Sequence, residues 1–371
     1  MNHIKTMLCG HFIGIDKLER LKLLQNDPLI TEFDISVKQP ETVSRFLGNF
    51  TFKTTQMFRD INFEVFKRLL YKSKIKSITI DIDSSVINVE GHQEGATKGY
   101  NPKKLGNRCY NIQFAFCDEL KAYITGFMRS GNTYTANGAA EMIKEIVANI
   151  KTDDLEIMFR MDSGYFDEEI IETIESIECK YLIKGKVYPT LALQLADPSI
   201  LFVKGEEGRE TAELFTKLNK WNKERRFVVS RVLKPEKDRM QMSLIEGDDY
   251  QYFFFVTNIE LPSEKVVISY EKRGNCENYI KEAKYDMAVG HLLLKSFWAN
   301  EAIFQMMMLA YNLFLLFKID FLSVSEYRQQ IKTFRLKYVF LAGKIIKTAR
   351  YVIMKLSEKY PYKDVYEKCL A

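Results

Sequence analysis

Residues Tyr270–Lys284, with the sequence YEKRGNCENYIKEAK, decide how the rest of this chain is interpreted. The segment contains four polar residues of different chemistry: Tyr270, Arg273, Glu277 and Lys284. On an α-helix, which turns by about 100° per residue, these four side chains share an arc of about 60°. The carboxylate suits a metal ion, and the arginine, the lysine and the phenol suit phosphate oxygens. A solvated, charge-rich helix with an Arg–Glu pair four residues apart would give the same pattern.

Two further carboxylates stand where a metal site is expected in an α/β fold. Ser77–Asp83, SITIDID, predicts a strand that ends at Asp83, and Leu155–Asp162, LEIMFRMD, predicts a strand that ends at Asp162. Sites in α/β sheets form beyond strand ends, where side chains leave the core and meet solvent. Asp81 lies on the same face as Asp83, and we favour Asp83 because it is nearer the strand end. Either aspartate alone also fits a turn or a helix cap.

The complete pattern resembles a known enzyme family. The spacing Y-x2-R-x3-E-x6-K, together with D-S-S from Asp83 and D-S-G-Y-F from Asp162, is similar to that of the DDE transposases of bacterial insertion sequences. Gln93–Lys104, QEGATKGYNPKK, also resembles the region after the first aspartate in one branch of that family. The similarity extends from about Lys76 to about Lys318, with a weaker match before it.

The resemblance implies an α/β fold with a ribonuclease H-like catalytic core. It implies a catalytic triad of Asp83, Asp162 and Glu277, which would bind two divalent metal ions, Mg²⁺ with Mn²⁺ as a substitute. The implied reaction is hydrolysis at the transposon end and then transesterification by the freed 3′-hydroxyl, through a hairpin intermediate. The chemistry is consistent, because magnesium prefers oxygen ligands and two ions can stabilise the attacking and the leaving oxygens.

The same resemblance implies which partners the chain has. Tyr270, Arg273 and Lys284 would contact the DNA backbone near the cut. The DNA would be double-stranded and would include the terminal inverted repeats and the target. A homodimer on paired ends is expected, although no segment of the sequence indicates a dimer interface.

The composition limits where nucleic acid can bind. The chain has 371 residues, with 54 basic and 49 acidic residues and a net charge of +5. Because that bias is weak, DNA binding must depend on local basic patches, for which Lys98–Lys104, Lys217–Arg226 and Lys332–Arg350 are candidates. In the first two, Lys98 and Trp221 are predicted DNA contacts, Trp221 by stacking on a base. A solvated face for each patch and ordinary packing for the tryptophan are the alternatives.

Cysteine, histidine and apolar residues exclude other classes of protein. The six cysteines form no C-x2-C pair, so we expect neither a zinc site nor a disulfide framework, and their free thiols suit a reducing cytoplasm. The four histidines show no ligand spacing, and the amino-terminal residues do not resemble a signal peptide. Ala302–Phe317 is short for a membrane span and predicts a buried helix. We therefore expect a cytoplasmic protein, associated with the bacterial nucleoid and without a membrane partner.

The chain is expected to consist of five stretches. They are a helical amino-terminal region (1–75), the first part of the catalytic core (76–188), a β-rich insertion (189–258), the second part with the glutamate helix (259–318) and a basic helical carboxy-terminal region (319–371). The insertion is expected because Asp162 and Glu277 lie too far apart for a minimal core. Its predicted strands are FVVSRVLK, MQMSLIEG and YFFFVTNI.

The amino-terminal region departs from the family pattern. Relatives in this branch usually have a longer stretch before the first catalytic strand, whereas about 75 residues precede it here. A part that recognises the inverted repeats is therefore expected to be shortened or missing. Besides an active transposase, two alternatives remain: a truncated, non-enzymatic DNA-binding or inhibitory relic, and a structure-specific nuclease of the same fold.

Overall fold

The computed structural model describes the chain except for Asp34, Tyr100, Pro102, Lys103, Ala196, Pro198, residues 236–248 and Ala371. The helices are α1 (Asn2–Ile13), α2 (Lys22–Gln25), α3 (Pro28–Glu32), α4 (Pro40–Leu47), α5 (Phe52–Ser73), α6 (Ala139–Ile150), α7 (Glu168–Ser176), α8 (Pro189–Leu195), α9 (Ser263–Glu271), α10 (Gly274–Tyr285), α11 (Phe297–Phe321), α12 (Val324–Tyr327), α13 (Ile331–Phe334) and α14 (Lys363–Leu370). The strands are β1 (Ser77–Asn88), β2 (Thr97–Lys98), β3 (Arg108–Cys117), β4 (Ala122–Ser130), β5 (Glu156–Met161), β6 (Lys180–Lys184), β7 (Val203–Lys204), β8 (Glu210–Thr216), β9 (Arg225–Leu233), β10 (Tyr250–Thr257), β11 (Gly343–Lys347) and β12 (Val352–Leu356).

One large mixed sheet organises the described part of the chain. Its strands follow the order β2-β3-β1-β5-β6-β10-β9-β8-β7, and β4 pairs with β3. β1 runs antiparallel to β3 and parallel to β5, and β5 runs parallel to β6. The inner strands are apolar and buried, as a sheet with helices on its faces requires. The parallel pairing places Ile82, within β1, beside Met161 at the end of β5.

The predicted β-rich insertion is not a separate layer. β10 pairs antiparallel with β6, where Phe255 lies opposite Lys184, and β9, β8 and β7 continue the same sheet outward. Two of the three predicted strands correspond to β9 and β10, and MQMSLIEG lies outside the described residues. Alternation of apolar residues predicts a strand but not its partner, so the joining of these strands to the catalytic sheet could not be read from the sequence.

The buried helix predicted at Ala302–Phe317 is confirmed as the centre of α11. This is the one helix in the described residues that is long and apolar enough to cross a membrane, and 78% of its apolar window is buried within the fold. Its polar residues serve the sheet: Asn312 Nδ2 donates to Tyr123 O at 2.7 Å, and Tyr123 N donates to Asn312 Oδ1 at 3.1 Å. The helix therefore provides hydrogen-bond partners for the backbone of β4 at the sheet edge, which satisfies groups that burial would otherwise leave unpaired.

The two terminal regions differ in structure. Helices α1 to α5 occupy the first 75 residues, and α5 packs along α11. The carboxy-terminal region was predicted to be helical, but it also contains the antiparallel hairpin β11–β12, so that prediction is wrong for residues 343–356. The hairpin sequence is rich in the β-branched residues Ile and Val, which favour strands over helices.

Candidate active site

Asp83 and Asp162 occupy neighbouring positions on adjacent parallel strands. The last parallel pair between β1 and β5 is Ile82 with Met161, so the two aspartates follow directly after it. Asp162 ends its strand, as predicted. Asp83 does not, because β1 continues to Asn88 while paired with β3 alone. The two carboxylates thus meet where β5 leaves the sheet and opens a space beside β1.

Arg273 lies between these two carboxylates. Its Nη2 is 2.9 Å from Asp83 Oδ2 and 3.5 Å from Asp162 Oδ2. The other oxygens are held by the backbone, since Ser84 N donates to Asp83 Oδ1 and Gly164 N donates to Asp162 Oδ1, each at 2.8 Å. Asp162 is therefore a turn cap and a site residue at once.

Burial and charge act against each other at Asp83. Burial raises the pKa of Asp83 to about 6, the Arg273 guanidinium opposes the rise, and the charges of Asp162 and Glu277 add to it. Burial alone would lower the pKa of Arg273, but Asp83, Tyr270 and Asp162 together outweigh it, so the pKa is raised. The site is a cluster of negative charge that holds one cation in place.

The predicted single helix across Tyr270–Lys284 is interrupted. Helix α9 ends at Glu271 and α10 begins at Gly274, with a turn between them. Arg273 N donates to Tyr270 O, whereas Ser269 O accepts from Arg160 Nη1 at 2.6 Å. A side chain inserted into the helical hydrogen-bond ladder bends a helix. The bend places Arg273 at the start of α10, pointing toward the aspartates.

Glu277 lies in the first turn of α10. Its side chain is 56% exposed, and Lys281 Nζ is 3.9 Å from its Oε2. Glu277 is close enough to raise the pKa of Asp83. A carboxylate at this helix amino terminus is also favoured by the helix dipole. Glu277 therefore lies near Asp83 on a third element, α10.

Tyr270 lies in α9, before Glu277, and Lys284 lies near the end of α10, after it. The Tyr270 ring lies 4.8 Å from the Phe255 ring, and burial raises the pKa of its phenol to about 12. Lys284 Nζ donates to Ser85 Oγ and to Val86 O, each at 2.8 Å. Lys284 thus fastens α10 to the part of β1 that follows Asp83.

An ion cluster beneath the site was missed by the sequence analysis. Arg160 donates from Nε to Asp81 Oδ1 at 2.6 Å and from Nη2 to Asp81 Oδ2 at 2.7 Å. Its Nη2 also donates to Asp118 Oδ2 at 2.9 Å. The strand register places Asp81 of β1 opposite Arg160 of β5. A charged residue inside each of two apolar strands was the sequence feature that could have revealed this ion pair. Asp81 is engaged in this buried ion pair, so Asp83 is the aspartate that faces the site.

The structure does not bring Lys98 or Trp221 to the site. Lys98 is exposed and pairs with Arg108, six residues along β3 from the partner of Asp83, or about 20 Å of strand. Trp221 is not exposed, as stacking on a base would require, and the alternative of ordinary packing describes it. Its ring is 8% exposed and lies 5.2 Å from the Phe166 ring, with the Arg225 guanidinium 4.9 Å from its centre. Surrounding charges suggested exposure, but Arg225 covers the ring instead.

The Lys217–Arg226 patch is largely engaged within the protein. Arg225 contacts Glu168 and Glu175 at 3.0 and 3.1 Å, and Arg226 pairs with Glu213. Arg225 links β9 to α7 and Arg226 links β9 to β8, so the charge of both arginines is already compensated.

A family model described as transposase DDE domain group 1 matches residues 3–371. The chain belongs to this family. Membership in the transposase DDE domain group implies DNA cleavage and transposition as the class of activity, and members of DDE families generally use divalent metal ions.

Two solved structures are similar to this family member over part of their length. The piggyBac transposase synaptic complex with hairpin DNA matches with a TM-score of 0.44 and 12% identity, over 88% of this chain and 69% of that one. The Mos1 transposase paired-end complex with left transposon end matches with a TM-score of 0.22 and 10% identity, over 43% of this chain and 56% of that one. No curated protein sequence matches the chain.

The donor set of this DDE family member fits a divalent metal ion. Asp83, Asp162 and Glu277 supply carboxylate oxygens from three separate elements, and magnesium prefers oxygen ligands. Within the described ranges, no group of three or more Asp, Glu, His or Cys side chains is close enough to hold a metal ion as arranged. In this arrangement the Arg273 guanidinium supplies the positive charge beside Asp83 and Asp162.

Proposed function

We propose that this chain is a DDE transposase that cuts and rejoins DNA with divalent metal ions. The observation that carries the proposal is the placement of Asp83 and Asp162 directly after the last parallel pair of β1 and β5, around one cation. Glu277 faces the same space from α10 and completes a triad of carboxylates. Like charges gathered in this way oppose one another, so the three carboxylates require a compensating cation.

The sheet topology supports a ribonuclease H-like core. The order β4-β3-β1-β5-β6 combines an antiparallel meander with two parallel strands, each reached through a helix, α6 or α7. Crossovers between parallel strands require such helices. The triad then lies on two central strands and on a helix that follows the sheet extension, which is the arrangement proposed for catalysis.

Each site residue has a distinct proposed role. Asp83, Asp162 and Glu277 would hold the ions, Mg²⁺ or Mn²⁺, which supply charge stabilisation for an in-line displacement at phosphorus. Without the metal ions, Arg273 compensates the charge of the two aspartates. When the ions would compensate that charge instead, Arg273 is proposed to hold a phosphate of the DNA backbone. Tyr270 offers a phenol beside the same space that is protonated at neutral pH, and burial raises its pKa further, to about 12. Lys284 positions α10 through β1.

The partners follow from this chemistry. We propose double-stranded DNA as substrate, both as transposon ends carrying inverted repeats and as target, a homodimer on paired ends, and a place in the cytoplasm at the nucleoid. The family membership and the basic carboxy-terminal segment support DNA as the partner.

The test is cleavage of a DNA fragment that carries the ends flanking the gene, with Mg²⁺ present or absent. We expect metal-dependent nicking at the element boundary, lost in Asp162→Asn while DNA binding in a gel-shift assay is retained. Asp154→Asn is the matched control, because Asp154 is an exposed aspartate near β5 that pairs only with Lys76 at 3.0 Å. Its activity should equal that of the unmodified chain.

The outcomes separate the candidate functions. Full activity of Asp162→Asn would overturn the triad assignment. Binding without cutting would indicate a relic or regulator, and cutting without strand-transfer products would indicate a nuclease.

A further inference from the structure

The carboxy-terminal hairpin β11–β12 lies in the most basic part of the chain. Residues 327–357 contain eight Lys and Arg residues and no Asp or Glu. The hairpin is outside the large sheet, and among the strands that the structure describes β11 and β12 pair only with each other. Two-stranded hairpins are only marginally stable on their own. A hairpin that is mostly exposed and charged is therefore expected to have a function.

Three of these cations already have partners in the protein. Arg335 donates to the backbone oxygens of His11, Phe12 and Asp286, which fixes the segment to α1 and α10. Lys337 Nζ lies 3.0 Å from Glu326 Oε1, and Lys347 pairs with Glu32. These contacts anchor the base and one face of the hairpin to the protein.

The other face of the hairpin is different. Lys344 and Lys355 lie directly opposite each other in the register, both exposed, on the face that Ile346 and Ile353 share. Neither lysine forms an ion pair with any residue that the structure describes. Like charges directly opposite on adjacent strands destabilise a sheet, since their Cβ atoms lie about 5 Å apart. An anionic partner would remove that repulsion.

The tip of the hairpin extends the same character. Arg350 is exposed in the turn, and the adjacent Tyr351 ring is 69% exposed. Thr348 closes the turn, because its backbone N donates to Tyr351 O at 2.9 Å. The tip is therefore an ordered turn that presents a guanidinium and an aromatic ring to the outside.

We propose that the β11–β12 hairpin is a DNA-binding arm, which places Lys344 and Lys355 on the phosphate backbone of duplex DNA and the Arg350–Tyr351 tip in a groove. The proposal rests on the function proposed above and adds a contact surface remote in sequence from the triad. A two-stranded ribbon fits the major groove, which is about 12 Å wide. A second copy of the chain is a poorer occupant, because a twofold contact through this face would bring the same lysines together.

The test compares binding of a mixed-sequence duplex of about 30 base pairs, a span of some three turns, by fluorescence anisotropy over a range of salt. Lys344→Gln/Lys355→Gln should lower the slope of log affinity against log salt by about 1.8, which is about 60-fold in affinity at 0.1 M salt. Lys344→Arg/Lys355→Arg should restore binding, because the charge returns. Lys53→Gln/Lys144→Gln, which removes two charges from exposed positions of α5 and α6, is the matched control and should leave the slope unchanged.

Each result decides a different point. Binding by the unmodified chain with an unchanged slope in the double glutamine variant would overturn the DNA arm and leave the proposed function intact. An unmodified chain that binds no duplex would overturn both proposals. A slope unchanged together with a monomer–dimer equilibrium shifted toward monomer, measured by sedimentation, would assign the hairpin to contact between copies instead.

Discussion

Replacing Arg160 by methionine should both destabilise the protein and disturb the active site. Arg160 is buried, and its guanidinium makes two bonds to Asp81, one to Asp118 and one to Ser269 O. Arg160→Met leaves Asp81, which is fully buried, without its counter-charge. Breaking a buried pair in this way costs about 3–5 kcal/mol, because the remaining charge is uncompensated.

The geometry predicts a particular rescue. In Asp81→Leu/Arg160→Met the buried charge is gone, and Asp118 keeps the phenol of Tyr279 as a donor at 2.8 Å. Replacing a buried ion pair by apolar residues of similar volume is often nearly neutral. The double variant should therefore recover most of the lost stability. It should not recover cleavage, because Ser269 O still lacks the donor that bends the chain between α9 and α10 and directs Arg273 toward the aspartates.

Urea unfolding provides the free energies, and the cleavage assay provides the activity. Arg20→Met is the matched control, since the Arg20–Asp16 pair is on the surface and its loss should cost less than about 1 kcal/mol. A cost below about 1 kcal/mol for Arg160→Met would refute the assignment of a buried pair. A double variant as active as the unmodified chain would refute the role of Arg160 in shaping the site.

Three further predictions concern single side chains. Trp221→Ala should lower the free energy of unfolding by about 3–5 kcal/mol without changing the DNA affinity of the folded protein, and a selective loss of DNA affinity would restore its role in base stacking. Burial lowers the pKa of Lys318 to about 8, against the opposing charge of Glu282. The unfolded chain therefore binds more protons than the native protein between pH 8 and 10.5, the ordinary pKa of lysine, so stability should rise with pH across that window by about 3 kcal/mol relative to Lys318→Met. Urea unfolding at both ends of the window measures the change, and a difference independent of pH would contradict the burial of a charged lysine. Arg273→Ala should flatten the salt dependence of DNA affinity by about 0.9 in slope, and an unchanged slope would mean that Arg273 serves only the protein.

The sequence predicted the residues of the site more accurately than the structure that surrounds them. Asp83, Asp162 and Arg273 were selected from spacing and strand ends, and the structure brings these three together, although their catalytic role stays a prediction. Strand ends and helix faces are local features that a sequence carries directly. The bend at Arg273 could not be predicted, because it depends on a hydrogen bond from Arg160, more than a hundred residues earlier in the chain.

The errors have the same origin. Trp221 lies among charges in the sequence, but only the folded protein shows that Arg225 and Phe166 cover its ring. Two of the three strands predicted in the β-rich stretch are confirmed as β9 and β10. Their pairing across long separations in the chain is not encoded in a local pattern. The carboxy-terminal region was predicted to be helical, whereas its β-branched residues favour the hairpin β11–β12.

The extension of the sheet determines when during synthesis the site can form. β10 reaches its partner β6 only after more than sixty intervening residues have been made, and α9 and α10 follow β10 directly. The end of α10 is in turn held by later residues, since Ile331 N donates to Glu282 Oε1 at 2.7 Å. A nascent chain that has already folded its first strands therefore carries both aspartates but no placed Arg273 or Glu277. Contacts between distant segments form late in folding. The two aspartates should therefore form only an incomplete site until the residues through Ile331 have been synthesised.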